Sequence, residues 1–207
     1  MKINALKSDF AKNILKLVSG TFIAQILSIL IAPILTRLYA PEYFGLFTLI
    51  SSIFGIIALI AGGRYEIAIL LPKKDEDAAN LLILSLLINT FFLAIFYVVL
   101  FCIIPFLGTG IDIFWFYSLP IFVFFVGFAQ SIMAWFNRKK NYNAIVVNKI
   151  SNSLSNNSLA LLNGFLKTKL NGLLLAFLIA NLISLLLLFI QIKNDFHFIK
   201  SSFDKVK

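Results

Sequence analysis

Leu17–Leu35 reads LVSGTFIAQILSILIAPIL, 19 residues without one charge. A helix that crosses a bilayer must cover about 30 Å of hydrocarbon at 1.5 Å per residue, which takes roughly 20 apolar residues. This run has that length, and the chain repeats it. Leu46–Gly63, Leu81–Ile104, Ile113–Phe136 and Leu173–Ile192 share its character, and Ala144–Leu166 is a more polar sixth. The expected fold is all-α, a polytopic integral membrane helix bundle of about six transmembrane helices within residues 1–192. A basic tail, 193–207, follows.

Composition excludes the water-soluble classes. Of 207 residues 60% are hydrophobic and 13% charged, with a mean hydropathy of +0.96. Soluble domains carry about a quarter charged residues. The net charge of +9 would suggest nucleic acid in a soluble protein, but the cations sit between the apolar runs. Lys2, Lys7, Lys12 and Lys16 precede the first run, and Arg64, Lys73 and Lys74 follow the second. Arg138, Lys139, Lys140 and Lys149 follow the fourth, and Lys193, Lys200, Lys205 and Lys207 follow the last. With six spans, 15 basic residues fall on one side against Arg37, Lys167 and Lys169 on the other. That bias places both termini in the cytoplasm, and no nucleic-acid partner is expected. The first apolar run exceeds the usual h-region of a signal peptide and lacks a small-residue cleavage site, so it reads as a retained helix. Cys102, the one cysteine, lies inside the third run and reads as a small core hydrophobe.

The connections carry local signals. Pro41 suits the first turn of the second helix, and Glu42 complements its positive end. Acidic Asp75-Glu76-Asp77 after Pro72 favours a helix start there. Gly108–Asp112 is an outer turn without a basic residue. Tyr39, Tyr43, Trp115, Tyr117 and Trp135 are placed for the headgroup regions.

Residues 144–166 admit two readings. Asn148–Ser158 is too polar to face lipid, where each unpaired polar group is costly. A cytoplasmic linker would leave five spans, with 13 basic residues inside and five outside. A helix buried among others, or lining a wet cavity, preserves six spans, and the charge bias favours it.

Polar residues recur at helical spacing. Thr21, Gln25, Ser28 and Ala32 share a stripe of the first span, and Asn148, Ser151, Asn152, Ser155 and Asn163 share one side of the fifth. Ser51, Gly55, Ala58 and Gly62 form a small-residue series in the second. Each serves as packing glue between helices or as the lining of a polar cavity. Arg37 ends the first span, Arg64 ends the second and Lys149 opens the fifth. No acidic residue lies inside the first, third, fourth or sixth run. A cavity among them would be cationic and suited to phosphate or pyrophosphate, unless the cations snorkel to the interface. The candidate substrate-binding residues are thus Arg37, Arg64, Lys149, Gln25 and Asn152, with Thr21, Ser28 and Ser155 lining the cavity.

Catalytic signatures are missing from the chain. It has no Walker-type phosphate loop, its single His197 stands in the polar tail away from any ligand cluster, and Gly62-Gly63 is too little for a dinucleotide site. No enzyme activity, cofactor or metal is expected.

Three blocks between the helices resemble a known family. They are Thr36–Gly45 (TRLYAPEYFG), Gly63–Ala68 (GRYEIA) and Leu71–Ala78 (LPKKDEDA). In this order, within Lys12–Leu81, they resemble the amino-terminal part of the oligosaccharide flippases, the O-antigen (Wzx-like) polysaccharide transporters. Past Arg138 the resemblance rests on hydropathy and on the Asn171-Gly172-Leu173 start of the last span. The resemblance implies a MATE-like fold of two helix bundles around a cavity that opens alternately to either side. It implies a role in flipping undecaprenyl-pyrophosphate-linked sugar units across the bacterial inner membrane, with Arg37 and Arg64 at the anionic headgroup or the gate. Family members have twelve or more spans, so six represent one bundle: a truncated product, a half that pairs with a separately encoded second six-helix half, or a homodimer. Membrane lipid and the lipid-linked oligosaccharide are the expected partners. The rival readings are a multidrug or cation antiporter, which would want a carboxylate within its spans, and a non-transporting scaffold of a polysaccharide assembly complex.

Overall fold

The computed structural model describes residues 2–61, 63–103 and 113–193. Gly62, the turn Gly108–Asp112 and the tail with His197 lie outside the described residues. The described chain forms seven helices and no strand: α1 Lys2–Leu38, α2 Pro41–Ala61, α3 Tyr65–Ala68, α4 Asp75–Ile103, α5 Ile113–Arg138, α6 Tyr142–Phe165 and α7 Lys169–Ile192. Five contain segments long and apolar enough to cross a membrane: Leu15–Leu38, Pro41–Ala61, Asp75–Cys102, Tyr117–Arg138 and Asn171–Ile192. α6 is not one of them, because its serines and asparagines dilute its hydropathy. At 24 residues it is nevertheless roughly 36 Å long.

The helix ends follow local chemistry. Pro41 opens α2 with Glu42 in the first turn, and Asp75, Glu76 and Asp77 open α4, as expected from the positive end of the helix dipole. Asn141 caps α6, its side-chain oxygen accepting from Ala144 N at 3.3 Å. After α5 and α6 the chain turns through Lys140 and Lys167, each at φ 55°. The short α3 has no apolar period to announce it. It begins after Arg64, which takes φ 61°.

The chain divides into two units, one of residues 1–47 and 139–191, the other of residues 48–138 and 192–207. In the first unit α1 and α6 run parallel. Gly20 meets Val146, Thr21 meets Lys149, Ala24 meets Ser153, Ser28 meets Asn157, and Leu38 meets Gly164. The contact extends from Gly20 to Leu38 of α1, a rise of roughly 27 Å. Gly20, Ala24 and Gly164 let the two backbones approach, as small residues do between membrane helices. α7 lies antiparallel to α6, with Ser184 Oγ donating to Asn148 Oδ1 at 2.9 Å, Asn152 Nδ2 to Ala180 O at 3.3 Å and Asn163 Nδ2 to Gly172 O at 3.0 Å. An apolar cluster of Leu35, Tyr39, Ala160, Leu173 and Ala176 closes one end.

In the second unit α4 and α5 pack antiparallel around small and polar residues. Ser85 Oγ and Ser131 Oγ lie 2.7 Å apart, Asn89 Nδ2 donates to Ser85 O at 2.9 Å, and Ser131 Oγ to Gly127 O at 3.0 Å. The buried Asn89 Oδ1 stands where a Cβ of residue 127 would be, so glycine is required there. α2 joins through Ala58 and Ala61 against Val123 and through Phe54 beside Phe122, ring centroids 4.7 Å apart.

Several residues lie elsewhere than expected. Cys102 is exposed rather than in the core, since it falls on an outward side of α4. Trp135 is 0% exposed and Trp115 is also buried, so these indoles pack the bundle instead of marking headgroups. Tyr39 is buried too, because its hydroxyl finds a carbonyl inside the protein. Of the small series in α2, Ala58 packs, while Gly55 has open space before it.

Replacing Gly127 by alanine should push a methyl into Asn89 Oδ1 and lower stability by about 1–3 kcal/mol. Thermal unfolding of the detergent-solubilised protein measures this. An unchanged midpoint would contradict the α4–α5 register.

Candidate functional site

Lys149 opens a polar seam between α1 and α6. Its Nζ donates to Thr21 Oγ1 at 3.2 Å. One turn on, Ser153 Oγ donates to Ala24 O at 2.8 Å and lies 3.2 Å from Ser28 Oγ. A further turn on, Asn157 Nδ2 donates to Ser28 Oγ at 3.0 Å and to Ser153 O at 2.8 Å. Lys149, Ser153 and Asn157 stand at i, i+4 and i+8, so one side of α6 presents all three to α1. Ser153 and Asn157 were not among the expected site residues. Counting in fours from Lys149 is the signal that would have found them.

The seam selects among the residues expected from sequence. Thr21 and Ser28 belong to it. Gln25 is exposed on α1. The stripe of α1 that faces α6 includes Gly20, Ala24, Ile31 and Leu35, roughly 90° around the helix from the polar stripe. Thr21 and Ser28 are on the near edge of the polar stripe and reach α6, while Gln25 and Ala32 lie further round. Asn152 is half-buried and turned to α7 through Ala180 O. Ser155 is half-buried in α6.

The electrostatics of the seam are one-sided. Lys149 is exposed, and its partner is a neutral hydroxyl. Residues 15–38 of α1, the whole of α6 and the whole of α7 contain no carboxylate. An ammonium with a neutral partner keeps donors for an anion, and it has no neighbouring acid on its own helices to neutralise it.

Arg37 lies at the far end of α1, 16 residues beyond Thr21 and so roughly 24 Å away. It is exposed, and the turn that carries it is anchored by its neighbour. Tyr39 donates from its hydroxyl to Ala160 O at 2.7 Å and sets its ring edge-on to Phe44, centroids 6.0 Å apart. Gly164 and Gly172 leave room for that ring and hydroxyl. Burial pushes the Tyr39 phenol above its usual 10.0, against a smaller opposing effect of the Thr168 hydroxyl. It therefore remains a neutral donor at physiological pH.

Arg64 belongs to the second unit. It is exposed, on the connection between α2 and α4. This connection is tied down by Arg138 at the end of α5. The Arg138 guanidinium meets Asp75 Oδ1 at 3.0 Å and donates to Pro72 O at 2.7 Å and Ile69 O at 3.3 Å. Its side chain is 11% exposed. Sequence counting treats Arg138 as one more interfacial cation. Folding places it against a loop more than 60 residues away, where the planar fork of arginine can hold a carboxylate and two carbonyls together.

Lys149 and Arg37 are thus exposed cations of the first unit, and Arg64 is an exposed cation of the second. A family model described as polysaccharide biosynthesis protein matches residues 10–207. No curated protein and no solved structure matches.

Arg138→Ala should release the Ile69–Asp75 connection and speed tryptic cleavage after Lys73 and Lys74 by roughly tenfold, given about 1.5–3 kcal/mol for hydrogen bonds to a charged group. Arg138→Lys, which keeps the charge and loses the fork, should fall between. Equal cleavage rates in all three proteins would remove the clamp.

Proposed function

We propose, for a chain that belongs to the polysaccharide biosynthesis protein family, that it moves an undecaprenyl-pyrophosphate-linked oligosaccharide between leaflets of the bacterial cytoplasmic membrane. The cargo would be a repeat unit of O-antigen or of another surface polysaccharide. The observation that carries this reading is the Lys149 seam, a cation whose partner is a neutral hydroxyl of the first apolar span, with no carboxylate in residues 15–38 of α1 or in α6. Pyrophosphate offers the charge and the acceptors that such a donor lacks. The task is binding and release, so the reading asks for no catalytic residue.

The spacing of the cations supports a transfer rather than a fixed grip. Lys149 and Arg37 stand near opposite ends of the α1–α6 pair, further apart than one pyrophosphate can span. In the orientation that the basic residues favour, Lys149 lies toward the cytoplasm and Arg37 toward the opposite face. An anionic headgroup would meet them in succession. A cation antiporter fits less well, because it would want an intramembrane carboxylate on these helices.

Six spans are part of the same reading. The parallel contact of α6 with α1 extends nearly the thickness of the hydrocarbon core, so where α1 crosses, α6 crosses beside it in the same direction. α7 then returns, and both termini share the cytoplasmic side. The apolar length that α6 lacks would be supplied by α1 and α7, which hydrogen-bond its Asn148, Asn152, Ser153 and Asn157.

Two measurements test this reading. Lys149→Gln, at equal expression, should reduce surface polysaccharide and slow turnover of the lipid-linked precursor by roughly tenfold, the worth of one charge-assisted hydrogen bond. Unaltered export would take Lys149 out of the transport path. For topology, a cysteine at Lys167 in a Cys102→Ser background should react with an impermeant maleimide on intact spheroplasts. Labelling only after permeabilisation would exclude six spans.

A further inference from the structure

We infer that the connection between α2 and α4 is an interfacial ledge that binds the headgroups of anionic phospholipids. It requires only that the protein resides in a membrane, and it stands apart from the transport reading. α2 ends at Ala61, α4 begins at Asp75 and α5 ends at Arg138. The contact of Arg138 with Asp75 brings the end of one spanning segment level with the start of another. The connection therefore lies at the boundary where hydrocarbon gives way to headgroups.

Its composition matches that boundary on both counts. Leu71 is 78% exposed, Ile67 51% and Leu70 44%, which in water would be a poor use of three large aliphatic side chains. Arg64, Lys73 and Lys74 are exposed among them, and within residues 64–74 Glu66 is the one acid. Apolar side chains dipping below the phosphates with cations at phosphate level are the means by which interfacial segments hold anionic membranes. The charge sign selects the partner: residues 64–74 carry three cations against Glu66, Asp75 is engaged by Arg138, and Lys139 and Lys140 after Arg138 match Glu76 and Asp77 in number. A flexible loop would lose this pairing of surfaces by reorienting. Here Arg138 fixes both carbonyls and the carboxylate, so cations and aliphatics are presented together.

The test uses the full chain in nanodiscs, with Leu71→Cys in a Cys102→Ser background carrying an environment-sensitive fluorophore. Discs of phosphatidylcholine are compared with discs in which part of it is replaced by phosphatidylglycerol. Brominated acyl chains should quench the probe and aqueous iodide should not, with native lipid enrichment favouring phosphatidylglycerol. Replacing Lys73 and Lys74 by alanine, with Arg64 kept, should weaken that preference by roughly tenfold while Leu71 stays in contact with lipid. Iodide quenching without bromolipid quenching would overturn the ledge, and would point to water or to a protein partner. Bromolipid quenching with no preference for the anionic lipid, or a preference untouched by the lysine replacements, would overturn the headgroup site.

Discussion

Polar groups inside hydrocarbon must find their partners within the protein, and in the proposed six-span arrangement α6 is where this constraint acts most strongly. Its serines and asparagines would be expensive against lipid. Four of them, Asn148, Asn152, Ser153 and Asn157, have hydrogen-bond partners on α1 or α7, which flank it. Without that cladding the proposed crossing of α6 would have no energetic support. The requirement runs in both directions, since Gly20 and Ala24 on α1 and Gly164 on α6 have to be small for the donors and acceptors to come within reach.

The second unit solves the same problem with fewer polar groups. Ser85 and Ser131 pair across α4 and α5, Asn89 donates to the Ser85 carbonyl within α4, and Gly127 makes space for the asparagine. The oxygen of Asn89 is buried without a hydrogen-bond partner, beside Gly127. Ends of helices are handled differently from their middles. There the anchors are long side chains that reach back into the protein, Tyr39 to a carbonyl of α6 and Arg138 to the α2–α4 connection. Both exposed arginines of the recognised motifs, Arg37 and Arg64, consequently ride on turns whose backbones are held by a buried neighbour or a buried distant partner.

Much of the helical frame was readable from hydropathy, because a bilayer sets helix length and excludes charge. The starts of α2 and α4 were readable from Pro41 and from Asp75–Asp77 for reasons of dipole and missing N–H. The short α3 was not, since four residues have no period to detect. Aromatic placement misled for Tyr39 and Trp135: an indole or phenol near a helix end serves the interface or the core equally well, and only a partner in space distinguishes them. The polar stripe of α1 was correctly seen as a stripe, yet Gln25 and Ser28 part company because the contact with α6 lies roughly a quarter-turn away.

The amino-acid sequence alone determined that the chain is a helical membrane protein, since apolar length and charge exclusion are properties of each segment by itself. It also carried the three motif blocks on which the family likeness rests. Tertiary structure decided which polar residues meet: that Lys149, Ser153 and Asn157 line one seam with Thr21 and Ser28, and that Arg138 closes on Asp75. Those pairings depend on the direction, rotation and register of one helix against another, and periodicity within a single helix contains none of the three.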